Sequence, residues 1–197
     1  MFQRDMKAIL AQTGRLWVAA LVLFGAVALP KAAIANDQRY SQNEIIDVGH
    51  NFFGTISTSF AKVIERTFST NGKPNGYILG EEAAGAYIGG LRYGEGTLFT
   101  RNAGDHRVFW QGPSVGFDWG GDGARTMILV YNLDSIDSVY RRFAGVAGQA
   151  YAVGGVGVTY LRNGNVALVP VKTGVGARVG VNVGYLKLTR TPTWNPF

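Results

Sequence analysis

Glu81-Glu82, Glu95 and Asp105-His106 are the side chains of this 197-residue chain best suited by type and spacing to acid and base chemistry. Two carboxyls whose pKa values are driven apart can serve as general acid and general base in glycan hydrolysis. Successive residues of a strand face opposite sides, so Glu81 and Glu82 cannot both join one site. Structural or surface roles are expected for these groups, with an envelope enzyme acting on glycan or peptidoglycan through rim carboxylates as the alternative. Gly112-Pro113-Ser114-Val115-Gly116 spells the G-x-S-x-G nucleophile elbow, which requires a following helix and a later histidine. Both histidines, His50 and His106, precede Ser114, and strand-like sequence follows it. A β-turn accounts for the segment better. Asp118 and Asp122-Gly123 suggest a calcium loop, but Gly120 and Leu129 stand where oxygen ligands are needed. With no cysteine and two distant histidines, no metal-ligand spacing exists. No catalytic residue, metal or cofactor is assigned.

The elements that would carry these residues fall into two textures. Ser41 and Glu44 form the pattern of a capping box, in which the hydroxyl and the carboxylate satisfy free N–H groups of the first turn. Ile45, Val48, Phe52, Ile56, Phe60, Val63 and Ile64 then recur at helical spacing, and Ser69 to Pro74 stops the helix. Gly54 marks a kink or break within it. Beyond Pro74 the chain is rich in glycine, valine and tyrosine, and strands are predicted over 77–82, 86–93, 96–101, 107–111, 114–119, 125–132, 151–161, 166–172 and 175–189. Asn163-Gly164 reads as the centre of a type I′ hairpin turn. Residues 133–143 read as a short helix, with Ile136, Val139, Tyr140 and Phe143 at helical spacing.

In the last strand Gly176, Gly180 and Gly184 share one face, which suits a sharply coiled sheet such as a small closed barrel. The expected fold is mainly β: a small soluble antiparallel β-barrel of about nine or ten strands, with an N-terminal amphipathic helix and one short helix between strands. Its parts are a helical segment over 41–71, a barrel over 75–190 and a C-terminal tail over 191–197. Phe197 is an aromatic terminus like those of outer-membrane barrels, but Pro192 and Pro196 interrupt a regular last strand.

Residues 1–35 read as a cleavable secretory signal. Arg4, Lys7 and Arg15 precede the uncharged run Leu16 to Leu29, which as a helix would be about 21 Å long, short of a bilayer core. Ala33 and Ala35 place the cut before Asn36. The mature domain, 36–197, would then carry a net charge of +3 rather than the +6 of the whole chain. No Lys/Arg run remains, so nucleic acid is not expected as a partner. The absence of cysteine excludes a lipoprotein, a disulfide scaffold and thiol chemistry. The expected location is the periplasm.

Asn75-Gly76-Tyr77-Ile78-Leu79-Gly80-Glu81, Gly90-Leu91-Arg92-Tyr93-Gly94-Glu95-Gly96, Trp110-Gln111-Gly112-Pro113-Ser114 and the ending Val183 to Phe197 closely resemble the EipA family of bacterial envelope-integrity proteins. The similarity spans essentially the mature chain. It implies a conical periplasmic barrel needed for normal envelope function, without an established enzymatic activity. A fainter similarity, after Gly76, runs to SYLF lipid-binding domains, and implies a lipid or acyl chain as ligand. A small barrel filled by side chains leaves room for a ligand only at one end, where Arg92, Tyr93, Trp110, Trp119 and Trp194 could gather. The expected function is thus non-catalytic support of the envelope through binding of a lipid or other apolar ligand, and the expected partner is an envelope component, lipid or glycan. Docking of a protein partner on the N-terminal helix is a further alternative.

Overall fold

The computed structural model describes residues 38–54, 58–85, 90–113, 124–146, 149–173 and 184–195. The expected signal with its cleavage point at Ala33, Ala35 and Asn36 lies outside these residues, as do Trp119, the predicted strand at 114–119, and Gly176 and Gly180. The helical stripe forms two helices, α1 (Gln42–Phe53) and α2 (Thr58–Asn71). Both halves of the capping box are present: Ser41 N–H donates to Glu44 at 2.7 Å, and Glu44 N–H donates to Ser41 Oγ at 3.3 Å. The Ser41 backbone and hydroxyl, followed by Arg101, hold the Glu44 carboxyl down at about 2. The break falls at Gly54, whose φ is +91°.

Ten strands follow among the described residues: β1 (Gly76–Gly85), β2 (Leu91–Thr100), β3 (Gly104–Pro113), β4 (Ala124–Tyr131), β5 (Arg142–Gly145), β6 (Tyr151–Val153), β7 (Val156–Val158), β8 (Leu161–Asn163), β9 (Val166–Thr173) and β10 (Tyr185–Thr189). Their sheet runs β4-β1-β2-β3-β10-β5-β8-β9, and β9 pairs again with β4. That second pairing closes a ring of eight antiparallel strands and leaves no free edge between them. Along β9, β7 continues the line of β8, and β6 folds back on β7.

Alternation along the strands divides the apolar residues into two cores. One fills the barrel and draws on all eight ring strands: Ile78, Leu98, Val108, Trp110, Ile128, Val130, Phe143, Leu161, Val166, Leu168, Leu186 and Leu188. The other lies outside, where Ile45, Phe60, Val63 and Ile64 of the helices cover Met127, Leu129 and Tyr131 of β4 and Val169 and Val171 of β9. Strands β4 and β9 are therefore buried on both faces, which explains their nearly continuous apolar sequence. Ile45, Phe60, Val63 and Ile64 of the helical stripe are thus taken up by the chain's own barrel, which weakens the motive for a partner docked on them.

The structure corrects several local expectations. Strand β2 is continuous through Gly94-Glu95-Gly96 instead of two pieces. Residues 133–143 contain only a 3-10 helix, Ile136–Val139, and Phe143 belongs to β5, a strand missing from the sequence reading. Val139, with Leu133, Ile136 and Tyr140 around it, plugs the end of the barrel at which β4 finishes and β1 begins. Asn75 fixes this plug: its amide donates to Leu133 O at 2.7 Å and accepts from Leu133 N–H at 3.0 Å. The hairpin after β8 pairs Asn163 with Val166, and of its residues only Gly164 has positive φ, at +57°. Its centre is thus Gly164-Asn165, with the sign pattern of a II′ turn.

Candidate functional site

Strands β1, β2 and β3 are paired over their full lengths, so each residue's face follows from register. Ile78 lies opposite Leu98, Gly80 opposite Gly96 and Glu82 opposite Gly94, all on the inner face. Gly94 in turn lies opposite Trp110, and Arg92 opposite Gly112. Gly94 is needed there because a Cβ would sit 2.2 Å from the Trp110 ring. Removing the side chain on β2 lets the indole lie across the wall inside the barrel.

Glu82 and Arg92 meet Lys172 of β9 on this inner face, towards the end where β1, β3 and β9 finish. Glu82 is 4% exposed, and an isolated carboxylate at that depth would be costly. Trp110 Nε1 donates to Glu82 Oε2 at 2.8 Å, and Lys172 Nζ bonds to Oε1. Burial is the largest single influence on the Glu82 carboxyl and pushes its pKa up. The charges of Lys172 and Arg92, with hydrogen bonds from Lys172 and Trp110, together outweigh it and hold the group below its ordinary value. Arg92 is equally buried and donates to Tyr185 O at 3.4 Å. The cluster is a strut between β1, β2, β3 and β9, with its carboxylate already bonded on both oxygens.

The outer face of the same three strands is different. Glu81 lies opposite Glu95, Tyr93 opposite both Ala83 and Gln111, and Glu95 opposite Phe109. Past β10 the chain doubles back across this wall. Tyr93 Oη donates to Trp194 O at 2.9 Å, the two rings lie 5.3 Å apart, and Lys187 Nζ donates to Asn195 O at 3.3 Å. Between wall and tail runs a groove of about 310 Å³ lined by Glu81, Tyr93, Glu95, Phe109, Gln111 and Trp194, among others. That volume is at the lower end of small-molecule sites, about 300–1,000 Å³. Trp194 is 83% exposed, while Gln111 at the base is 1% exposed and its Nε2 has no partner among the described residues. Glu95 is held by Arg107 at 3.0 Å.

The aromatic and basic residues expected to share one site are thus divided by the barrel wall. Arg92 and the Trp110 indole belong to the inner strut, and Tyr93 and Trp194 to the outer groove, whose lining Trp110 and Glu82 also reach. Glu82 and Lys172 of the strut, and Glu81, Glu95, Phe109 and Gln111 of the groove, did not enter that expected set. Strand alternation already separates Tyr93 from Arg92 and Glu81 from Glu82. Nothing local signals Lys172 or the return of the tail. His106 lies by register opposite Leu98, far along β3 from the groove, and its Nε2 is 2.8 Å from Ala103 O. Among the described residues no group of three His, Asp or Glu side chains could hold a metal ion.

The family described as EipA, envelope integrity protein A, matches residues 38–197. A crystal structure of a β-barrel-like, uncharacterized protein from Brucella abortus is 59% identical, with a TM-score of 0.77. The alignment covers 81% of this chain and 99% of that one. Among curated proteins, nothing matches.

Proposed function

We propose, from the premise that this chain belongs to the envelope integrity protein A family, that it serves the cell envelope as a non-catalytic binding protein whose site is the outer groove. The envelope role comes with the family. The observation that carries the choice of site is the contrast between two carboxylates across one wall: Glu82 is bonded on both oxygens inside the barrel, beside an Arg92 whose Nε has no partner among the described residues, while the groove keeps the exposed carboxylate of Glu81, a buried donor at its base and an exposed tryptophan at its edge.

A lumen-bound acyl chain has little support, because Ile78, Leu98, Trp110, Ile128, Phe143, Leu161, Leu168 and Leu186, each at most 1% exposed, occupy the interior. A lipid in the groove is the second reading, favoured by the apolar walls that Phe109, Pro192 and Trp194 provide. Catalysis on glycan finds less support. Glu81 and Glu95 are direct cross-strand partners on one floor, whereas glycoside hydrolysis needs carboxyls that flank the scissile bond. Periplasmic residence after cleavage near Ala35 fits the family and the sequence of residues 1–35. An interior that is apolar apart from the Glu82, Arg92 and Lys172 strut, with Glu81, Glu95, Arg107, Arg142 and Arg162 on outward faces, is the inverse of a transmembrane barrel, which supports a barrel outside the bilayer.

Photo-crosslinking in living cells tests the site. A benzoylphenylalanine at Glu95 should capture an envelope component detectable by mass spectrometry, and one at Arg162, on the far wall, should not. Equal capture at both positions, or none at Glu95, would overturn the assignment.

A further inference from the structure

The groove's polar inventory narrows the ligand class beyond the reading just given, on which this step rests. Three features constrain any occupant. Tyr93, Phe109 and Trp194 offer aromatic surfaces, which suit a partner with an apolar face of similar size. Glu81 and Glu95 stand directly opposite each other, and like charges in that arrangement repel. Arg107 engages Glu95 Oε2, and Arg125 of β4 stands opposite Glu81 of β1, whose own side chain has no hydrogen bond or ion pair among the described residues and so remains an uncommitted acceptor on the floor. Gln111 adds the opposite need. Its buried Nε2 is a donor without an acceptor, and a buried donor left unpaired is unfavourable.

We infer that the groove takes a neutral glycan segment carrying N-acetylated hexosamine. Sugar rings present flat C–H faces to aromatic rings and hydroxyl donors to carboxylates. The acetamido carbonyl supplies the acceptor that Gln111 Nε2 lacks, and the acetamido N–H is a further donor for Glu81 or Glu95. An acyl chain meets the aromatic walls but leaves Gln111 unpaired and the carboxylates desolvated without donors. A phosphorylated or carboxylated head group brings acceptors alone and leaves the Glu81 carboxylate without a donor. A cation satisfies the floor and leaves Gln111 and the aromatic walls without a role.

The probe is the β-1,4-linked tetramer of N-acetylglucosamine, added to the intact mature domain and followed by calorimetry and by tryptophan fluorescence. Saturable binding is expected, with cellotetraose at least tenfold weaker because it lacks the acetamido group. Trp194→Ala, at an exposed position, should weaken the acetylated tetramer at least tenfold while leaving the thermal midpoint unchanged. Gln111→Leu keeps the volume, removes the donor, and should bring the two tetramers to similar affinity. Absence of binding, equal affinity of the wild-type protein for both tetramers, or binding indifferent to Trp194→Ala and Gln111→Leu would each overturn the inference. If the groove crosslinker captures a molecule without a sugar, the ligand class fails and the site stands. If it captures nothing, the site itself fails.

Discussion

Glu81 and Glu82 are chemically identical neighbours on β1, and the barrel wall gives them opposite fates. Glu82 points inwards, where Trp110 and Lys172 bond both of its oxygens and Arg92 adds charge. Glu81 points outwards onto a groove walled by aromatic side chains. A buried charge must be fully paired to be tolerated, and full pairing leaves it nothing to offer a ligand. A partly exposed group beside aromatic rings keeps its capacity to bind. Charge alone therefore says little about function, and the state of its hydrogen bonds says much more.

Breaking the inner side should have the largest effect. Glu82→Ala leaves the Lys172 and Arg92 charges and the Trp110 N–H without their common acceptor. Removing one partner of a buried pair costs about 3–5 kcal/mol, measurable by urea unfolding. A loss below about 1 kcal/mol would mean that the cluster is not a strut. The same residue sets an acid limit. Its folded pKa is below the ordinary 4.5, so its contribution is fully present above that value and is lost as pH falls through the folded value. The thermal midpoint of the wild-type protein should fall on acidification below about pH 4.5 more steeply than that of a Glu82→Gln variant. Parallel curves would assign the acid sensitivity to other groups.

Smaller effects sharpen the contrast. Gly94→Ala drives a methyl into the Trp110 ring and should cost about 1–3 kcal/mol by overpacking, with loss of near-ultraviolet circular dichroism from the indole. Glu81→Gln should leave unfolding free energy within about 0.5 kcal/mol of wild type and weaken capture of the groove's ligand. A large stability loss from Glu81→Gln would make the two faces alike.

Much of the helical layer was legible because its signals are local. Ser41 and Glu44 are three residues apart, and the stripe from Ile45 to Ile64 repeats within each turn. The barrel was legible as composition and as resemblance, but its details depend on distant partners. Gly94-Glu95-Gly96 resembles a turn, yet Gly94 serves the indole of a residue sixteen positions later, so β2 was divided in two. Ile136, Val139, Tyr140 and Phe143 have helical spacing, yet Phe143 is placed by its neighbours β8 and β10 in a strand that faces the lumen. Lys172 is ninety residues from Glu82, and only closure of β9 onto β4 brings them together. The groove needs the tail to return over β3, an event recorded in Tyr93 and Trp194 only after folding.

The most direct test of the outer groove as the working surface is survival in detergent of cells whose only copy of the protein carries Glu81→Gln, Tyr93→Ala and Trp194→Ala. The account predicts sensitivity equal to that of cells lacking the gene, with the variant present in normal amount and unfolding like the wild type. Wild-type survival of those cells would contradict it.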